Sequence, residues 1–492
     1  MSLKLSFLLN FIAACSCQDF KWAWQGGSKS ALITSDEFGP GARSGSVVWK
    51  QNDGTIWMFG GATHNSSNQL VLLNDLWKLD LAMNKWTLVV NEPLAAKDVK
   101  NTPPPRQLAA GCGFGNAVFI VYGGLDDIGN GLADTWVYYI SENRWYTLLE
   151  MQVKIGNLSA SVTPGAHGDS AWWCNSEKLV IFGGVDHEKR LRRDMWIFSM
   201  VSLSWSEAKV SVNLPKEETF ASFFEYPSQR SGATTWISHD KLYLFGGNVQ
   251  NGNHRSNHFD YGYSADMWEY DPGSDSWKAL KGDSEPCSTV GSYRMVGLPL
   301  ENNLPGCRRK AAAWTDVKNN LWMFGGEGVD GNPESISHTA KSRLLNDIWH
   351  FDVERRVWTW KGGPKMGDMG GLYGKKGEPD SKNLPGSRCE AAAWTLYGKT
   401  FYLYGGLGHD EKAAGGLLSD LWTLDIHRDQ QVQLNAPYPA AVFGVICMAL
   451  ALVVLISVLF FFVRGTVKSH SNKSVSSGKG VEYLRLINNS DI

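Results

Sequence analysis

The sequence predicts an all-β fold, a six-bladed β-propeller, because one pattern of strand and turn signals occurs six times along its 492 residues. In each copy an apolar strand ends in a glycine pair, and an Asp-x-Trp triplet follows after a variable loop. The pairs end at Gly61, Gly124, Gly184, Gly247, Gly326 and Gly406. The triplets begin at Asp75, Asp134, Asp194, Asp266, Asp347 and Asp420. Spacings of 60 to 80 residues between successive pairs indicate a repeat architecture.

Two further signals complete a unit of four short strands. A second tryptophan lies nine residues beyond the first in five copies, with turn residues such as Asp271-Pro272-Gly273 between them. A basic residue opens the first strand of each copy, at Arg43, Arg106, His167, Arg230, Arg308 and Arg388. One such unit cannot bury both of its faces, whereas units stacked radially cover one another.

The last copy lacks its fourth strand, since Gln431 stands where the second tryptophan is expected. Near the N-terminus, Trp22–Gly27 reads WAWQGG and matches WTWKGG at Trp358–Gly363 of the fifth copy. We therefore expect an N-terminal strand to complete the last blade and to remove the open edges of the ring.

The glycine pair, the Asp-x-Trp triplet and the second tryptophan resemble the kelch repeat of galactose-oxidase-like propellers, over about Phe20 to His427. In such propellers an arginine in an Arg-Ser-Gly context faces the mouth of the central channel and can hold acidic ligands, and Arg43 and Arg230 stand in that context. The resemblance implies a cationic ring suited to carboxylates, formed by Arg43, Arg106, Arg230, Arg308 and Arg388. The alternative is that these arginines pair with carbonyls or acids between blades.

Loop lengths differ between the two ends of the predicted blades. The first-to-second and third-to-fourth turns are short, whereas the second-to-third loops and the links between blades are long, so recognition potential is concentrated on one face, termed here the long-loop face. In the fourth copy this face carries candidate contact residues at His254, Arg255, Tyr261 and Tyr263. Packing of that loop on itself is the alternative.

Both ends of the chain carry apolar segments. Residues 1–17 have the anatomy of a signal peptide, and the uncharged stretch 440–463 is long enough to cross ~30 Å of hydrocarbon. Arg464 and Lys468 follow this stretch, so the C-terminus is expected in the cytoplasm. The predicted organisation is a signal peptide (1–17), a propeller ectodomain (18–428), a juxtamembrane linker (429–439), a transmembrane helix (440–463) and a cytoplasmic tail (464–492). We expect a single-pass protein of the plasma membrane or another secretory-pathway membrane, with the propeller extracellular or lumenal.

An oxidising compartment permits disulfides and N-glycans. Cys287 and Cys307 bracket one long irregular segment and are the first-ranked disulfide candidate, with a contribution of about 3 kcal/mol. Sequons begin at Asn65 and Asn157, both in predicted loops.

The composition and the motifs favour binding over catalysis. Lys and Arg total 47 against 49 Asp and Glu, which gives no support for nucleic-acid binding. No Gly-x-Ser-x-Gly, His-Glu-x-x-His or Walker pattern occurs, so we predict no enzyme activity, cofactor or metal. The predicted function is a cell-surface receptor or adhesion protein that recognises a protein or glycan. The alternative is a galactose-oxidase-like carbohydrate oxidase or another propeller enzyme.

The predicted tail carries two short patterns. Tyr483 and Leu486 fit a tyrosine-based sorting or inhibitory motif, which an adaptor would recognise. The C-terminal Ile492 fits a PDZ groove, where the peptide would add as a strand.

Overall fold

The computed structural model describes residues 20–31, 39–90, 102–156, 162–208, 226–250, 261–282, 290–332 and 342–426. The predicted signal peptide (1–17) and membrane span (440–463) lie outside these ranges. Within them, no helix is long and apolar enough to cross a membrane. Apart from one short helix and one 3-10 turn, the regular secondary structure of the described chain is β-strand, which confirms the all-β prediction and is consistent with a kelch-type propeller.

One strand, β1 (Lys21–Gly26), precedes the repeats, and repeats 1 to 3 each form a four-stranded antiparallel sheet in chain order. Repeat 1 comprises β2 (Val47–Lys50), β3 (Ile56–His64), β4 (Leu70–Asp80) and β5 (Lys85–Val90). Repeat 2 comprises β6 (Ala110–Phe114), β7 (Val118–Tyr122), β8 (Thr135–Tyr139) and β9 (Arg144–Thr147). Repeat 3 comprises β10 (Ala171–Cys174), β11 (Lys178–Phe182), β12 (Met195–Ser199) and β13 (Ser204–Glu207).

Repeats 4 to 6 follow the same plan with additional short strands. Repeat 4 comprises β14 (Arg230–Ser231), β15 (Thr234–Ser238), β16 (Lys241–Phe245), β17 (Asn248–Gln250), β18 (Tyr261–Tyr263), β19 (Met267–Asp271) and β20 (Ser276–Lys281). Repeat 5 comprises β21 (Arg308–Arg309), β22 (Ala312–Thr315), β23 (Leu321–Gly328), β24 (Arg343–Asp352) and β25 (Val357–Gly362). Repeat 6 comprises β26 (Arg388–Cys389), β27 (Ala392–Leu396), β28 (Thr400–His409) and β29 (Gly415–Asp425).

A short helix that the sequence analysis did not predict follows β9. This helix, α1 (Leu148–Lys154), is preceded by a 3-10 turn at Ile140–Glu142. Thr147 and Glu150 form a capping box at its N-terminus, and this is the Thr-x-x-Glu pattern that marks a helix start. Leu148 and Met151 of α1 are buried between repeats 2 and 3.

The N-terminal strand β1 completes the sheet of repeat 6. It pairs antiparallel with β29, with Trp22 opposite Leu424 and Trp24 opposite Trp422. The pairing lies where the match between residues 22–27 and 358–363 predicted it.

A second contact holds β1 from its other side. The amides of Gly377 and Asp380 donate hydrogen bonds to the carbonyls of Trp24 (2.7 Å) and Trp22 (3.2 Å). The side chain of Asn383 also donates to the Trp22 carbonyl (3.0 Å). An equivalent asparagine, Asn303, donates to the carbonyl of Trp358 in repeat 5 (3.1 Å). Both belong to a duplicated Gly-x-Tyr…Asn-Leu-Pro-Gly segment, at 291–306 and 371–386, which the sequence analysis overlooked.

Buried apolar side chains form six clusters, and each cluster joins two consecutive repeats. The sixth joins the first repeat to the last, since Met58 and Trp86 of repeat 1 pack with Trp394 and Tyr404 of repeat 6. Because both faces of the sheets are covered in this way, the tryptophans provide large buried areas between repeats rather than within one repeat.

A closed cycle of backbone hydrogen bonds links the starts of the six first strands. The residue two positions after each opening basic residue donates its amide to the carbonyl of its counterpart in the preceding repeat, over 2.8 to 3.1 Å. All six adopt left-handed φ values between 54° and 65°. They are Gly45, Leu108, Asp169, Gly232, Lys310 and Glu390. This set is termed the mouth ring below.

The glycine pairs permit close approach between neighbouring repeats. The amides of Gly61 and Gly406 donate to the carbonyls of Arg106 (2.9 Å) and Arg43 (2.8 Å), the opening residues of the next repeats. Both glycines have φ near 100°. A Cβ at Gly60 would lie only 2.9 Å from the Arg106 carbonyl oxygen, so a side chain there would separate the two sheets.

The disulfide in the described structure joins two repeats. Cys112 of β6 and Cys174 of β10 are bonded, with a Cα separation of 5.5 Å. The sequence analysis did not propose this pair. Cys307 is also disulfide-bonded, whereas Cys287 lies outside the described residues. Cys389 is a buried free thiol.

Candidate functional site

The five arginines that open repeats are buried and pair with the aspartate of the Asp-x-Trp triplet in their own repeat. In repeat 5, Arg308 donates from Nη1 and Nη2 to the two carboxylate oxygens of Asp347, over 2.6 and 2.8 Å. Its Nη1 also donates to the Gly325 carbonyl (3.0 Å) and its Nε to the Gly306 carbonyl (3.0 Å). The same bidentate arrangement joins Arg43 with Asp75, Arg106 with Asp134, Arg230 with Asp266 and Arg388 with Asp420.

This geometry corrects the expectation of a ligand-binding arginine ring. The side chains of Arg43, Arg106, Arg230, Arg308 and Arg388 are each at most 4% exposed. Their donors are taken by carboxylate and carbonyl oxygens, and a carboxylate ligand would have to displace an aspartate from a buried bidentate pair. The arginines therefore hold each repeat together, as the pairing alternative proposed.

In repeat 3, different residues form the ion pair with the aspartate of the Asp-x-Trp triplet. His167 stands in the arginine position, with Nε2 3.5 Å from Asp194, and Arg192 donates to that carboxylate over 2.7 Å. Burial alone would raise the pKa of Asp194, but the hydrogen bonds from His167 and Arg192 hold it far below its usual value. Arg192 and Asp194 thus form a structural ion pair within repeat 3.

The triplet tryptophan donates to the same aspartate in every repeat. In repeat 5, Nε1 of Trp349 donates to Asp347 (2.6 Å), and the hydroxyl of Tyr293 donates to the same oxygen (2.7 Å). Tyr373 and Trp422 donate to Asp420 in the same way. The Asp-x-Trp pattern is therefore a buried hydrogen-bonded centre of each repeat.

A central cavity of about 450 Å³ is lined by the first strands of the repeats and by the residues just before them. Small side chains predominate on its wall, and the alanines among them are Ala109, Ala233, Ala311, Ala312, Ala313, Ala391, Ala392 and Ala393. The volume lies within the ~300–1,000 Å³ range of small-ligand sites.

The mouth ring places three charged side chains at one end of this cavity, where the first strands begin. Lys310 lies 2.6 Å from Glu390 and 3.7 Å from Asp169, and all three line the cavity. Their side chains are only 10 to 13% exposed. The other three ring positions are occupied by Gly45, Leu108 and Gly232, so the charge is concentrated on one side.

A second ion pair adjoins these side chains. Arg309 donates to Glu327 over 2.8 Å, and its guanidinium carbon lies 5.5 Å from the ring centre of Tyr263. The Tyr263 hydroxyl and the Ser342 hydroxyl both donate to the other oxygen of Glu327, over 2.9 and 2.7 Å.

The pKa values of the two carboxyl groups in the mouth ring are shifted in opposite directions. Burial raises the pKa of Asp169, and the charges of Lys310 and Arg309 only partly oppose this. Burial would also raise the pKa of Glu390, but the charge and hydrogen bond of Lys310 lower it below its usual value. Burial would lower the pKa of Lys310, but attraction to Asp169 and Glu390 raises it instead.

Of the aromatic-loop residues proposed for contact, the structure brings Tyr263 to this site. Tyr261 pairs through its backbone with Gln250, and His254 and Arg255 lie outside the described residues. The signal that could have identified the mouth residues is a charged residue two positions after the opening basic residue, which occurs in three of the six copies, at Asp169, Lys310 and Glu390.

Of the two predicted sequons, the described structure includes the one that begins at Asn65. Asn65 follows strand β3 and starts the turn to β4, where its side-chain oxygen accepts a hydrogen bond from the amide of Ser67 (3.0 Å). Its glycosylation stays a prediction. Asn157, Tyr483, Leu486 and Ile492 lie outside the described residues. Among those that are described, no group of three or more His, Cys, Asp and Glu side chains could hold a metal ion.

Comparison with known proteins supports a kelch-type fold. Residues 147–298 match the KLHDC2/KLHL20/DRC7 Kelch-repeats domain. The F-box/kelch-repeat protein At1g51550 of Arabidopsis thaliana is 21% identical over 438 residues, which are 86% of this chain and 73% of that protein.

Two other relatives are matched over shorter stretches. Tip elongation aberrant protein 1 of Schizosaccharomyces pombe is 28% identical over 224 residues, which cover 45% of this chain. Acyl-CoA-binding domain-containing protein 4 of Arabidopsis thaliana is 24% identical over 266 residues, which cover 54% of this chain. The matched regions span 17% of the fission yeast protein and 31% of the acyl-CoA-binding protein.

Kelch repeats imply a protein–protein interaction domain. In this chain the buried arginines and aspartates have a structural role, and the charged side chains of Asp169, Lys310 and Glu390 line the open space at the cavity mouth. The mouth and the loops around it are therefore the candidate interaction site.

Proposed function

We propose that this protein is a membrane-anchored receptor or adhesion protein whose six-bladed propeller recognises an extracellular protein partner through its long-loop face. The observation that carries the proposal is the concentration of charge at the mouth ring, at the end of the cavity where the long connections meet the first strands. A glycan partner is the second candidate, for which the aromatic side chain of Tyr263 beside Arg309 provides the supporting contact.

The opposite end of the repeats supports this choice of face. Short turns of neighbouring repeats bond there to one another, as in the amide of Asn52 with the side chain of Asn116 (3.0 Å) and the amide of Val317 with the Gly398 carbonyl (3.1 Å). Short, mutually bonded turns offer little adaptable surface, whereas long loops on a rigid scaffold commonly carry recognition.

The cellular location rests on the chain termini. An apolar N-terminal segment in 1–17, an uncharged stretch at 440–463 and basic residues after it support a single-pass protein with an extracellular or lumenal propeller. Protease treatment of intact cells that express the full-length protein with a C-terminal tag tests this orientation. Loss of the propeller with survival of a short tagged fragment is expected, and a fully protected chain would contradict the proposal.

Partner recognition is tested with cells that display the full-length protein and are exposed to arrays of tagged secreted proteins and of glycans. Two triple variants replace exposed apolar residues with arginine on opposite faces. The long-loop variant changes Leu70, Ile128 and Met295, and the short-turn variant changes Met83, Val201 and Val317. We expect the long-loop variant alone to lose binding. Binding lost only in the short-turn variant would contradict the proposed face.

The non-enzymatic role is tested by supplying copper and simple sugars to the purified full-length protein and measuring hydrogen peroxide. We expect no turnover above the level of a buffer control. Sustained oxidation would favour the oxidase alternative instead.

The proposed tail contacts are tested separately. If Tyr483 and Leu486 form a sorting signal for an adaptor, Tyr483→Ala should raise the amount of protein at the cell surface, and unchanged uptake would exclude that role. If Ile492 enters a PDZ groove, an added C-terminal residue should abolish capture of the PDZ protein.

A further inference from the structure

The charged groups at the channel mouth are not evenly paired. Lys310 lies at hydrogen-bond distance from Glu390 (2.6 Å), and Arg309 lies at hydrogen-bond distance from Glu327 (2.8 Å). Asp169 is the third carboxylate, and its nearest cation is Lys310 at 3.7 Å, which is already bonded to Glu390. Two cations thus serve three carboxylates.

The Asp169 carboxylate, whose partners in the chain are the Ser231 side chain and the more distant Lys310 ammonium, is buried and faces open space. The Asp169 side chain is 10% exposed and lines the central cavity. Its neighbour in the mouth ring is Gly232, at which a Cβ would lie 3.1 Å from Asp169 Oδ2. Because Gly232 has no side chain, the space between Asp169 Oδ2 and the side chain of Lys310 is not filled by this residue.

We propose that the channel mouth is a binding site for a cationic group, namely the lysine or arginine side chain of a protein partner, with Asp169 as its anchor. The inference rests on the proposed function, since the partner approaches from the long-loop face. A cation placed between Asp169 Oδ2 and the cavity would give this carboxylate a cation at hydrogen-bond distance, in addition to the Ser231 hydrogen bond and the Lys310 ammonium at 3.7 Å. The alanine-lined wall below would accommodate the aliphatic part of such a side chain.

The local charges favour a cation over an anion. An anionic ligand would have to displace Glu390 from Lys310 or Glu327 from Arg309, and charge-assisted hydrogen bonds of this length are strong. A cation has only to join Asp169. Burial, which raises the pKa of Asp169, indicates that its ionised form is poorly compensated without a ligand.

Methyl NMR of the full-length protein, purified in detergent and labelled at alanine methyl groups, tests the site directly. The cavity alanines, among them Ala311 and Ala391, report occupancy. The probe is the capped peptide acetyl-Gly-Lys-Gly-amide, and the same peptide with norleucine in place of lysine is the control. n-Butylamine distinguishes a free amine from a peptide side chain. We expect saturable shifts with the lysine peptide, weaker shifts with n-butylamine and none with the norleucine peptide.

Three variants sharpen the test. Asp169→Asn keeps a residue that tolerates left-handed φ and should weaken lysine-peptide binding at least tenfold. Lys310→Gln removes the competing cation and should strengthen binding. Asp127→Asn changes an exposed carboxylate of the same face and should have no effect. Binding that is equal in the Asp169→Asn variant and the natural protein, or absent with every probe, would overturn the cation site.

The two proposals fail in different ways. Saturable peptide binding without any partner in the secreted-protein array would leave the site intact and contradict the proposed function. A partner that binds the long-loop face equally well in the Asp169→Asn variant would keep the function and overturn this inference.

Discussion

Removal of one buried aspartate should destabilise the whole fold. Asp347 is completely buried and accepts hydrogen bonds from Arg308, Trp349 and Tyr293. In Asp347→Ala the Arg308 guanidinium keeps its bonds to the carbonyls of Gly325 and Gly306, but its charge loses the only carboxylate that it contacts in the described structure.

The expected loss follows from these contacts. Breaking a buried ion pair by removing one partner costs ~3–5 kcal/mol, and each orphaned neutral donor adds ~1–3 kcal/mol. We therefore expect a loss of at least about 5 kcal/mol in the free energy of unfolding. The unfolding entropy of ~2.1 cal/mol/K per residue sums to ~0.8 kcal/mol/K over about 400 residues, so this loss corresponds to a fall of about 6 °C in Tm.

Differential scanning calorimetry of the full-length protein measures the effect, and two variants calibrate it. Asp75 has the same bidentate arginine and a tryptophan donor, but its side chain is 14% exposed and has no tyrosine donor, so Asp75→Ala should cost less. Glu378 pairs with Lys375 at the surface, so Glu378→Ala should change stability by ~0–1 kcal/mol. An Asp347→Ala variant as stable as Glu378→Ala would refute the assignment of a structural role to these pairs.

Three other predictions concern the closing strand, the disulfide and the mouth. Trp22→Ala removes a buried side chain that packs against rings of repeats 5 and 6, so it should cost ~3–5 kcal/mol by denaturant unfolding, while the exposed neighbour change Lys21→Ala should cost almost nothing. Cys112→Ala opens a loop whose ends are 62 residues apart and should lower stability by about 4 kcal/mol. Reduction of the natural protein should lower Tm further than this variant does, because it also opens the disulfide of Cys307, whereas a variant as stable as the oxidised protein would contradict the prediction. Folding raises the pKa of Asp169. Ionisation of this carboxyl therefore lowers the stability of the folded protein as the pH rises from the ordinary pKa of aspartate through the pKa of Asp169 in the folded protein. Asp169→Asn should therefore raise Tm more at pH 7.5 than at pH 4, and a lower Tm at pH 7.5 would contradict the sign.

The repeated four-stranded unit of the fold can be predicted from the sequence. Glycine pairs, Asp-x-Trp triplets and second tryptophans recur in the same order in successive copies, and each signal acts locally, in one hairpin or turn. The match of Trp22–Gly27 with Trp358–Gly363 also located the N-terminal strand, because the same side-chain pattern suits the same position in a sheet. Of the contact residues predicted in the fourth copy, Tyr263 lies beside Glu327 and Arg309, and its role in recognition stays a prediction.

The sequence alone determined that this chain is built from kelch-like repeats of four short strands, since local turn and strand chemistry is written into each copy. Only the tertiary structure decided what the charged residues do. Arg308 reaches Asp347 across 39 residues, and Lys310 meets Glu390 across 80 residues and Asp169 from another repeat. No local pattern encodes these contacts, because they depend on how successive sheets are arranged around the channel. That arrangement buried the arginines that were expected to face a ligand, and it placed Asp169 3.7 Å from Lys310, whose hydrogen bond goes to Glu390.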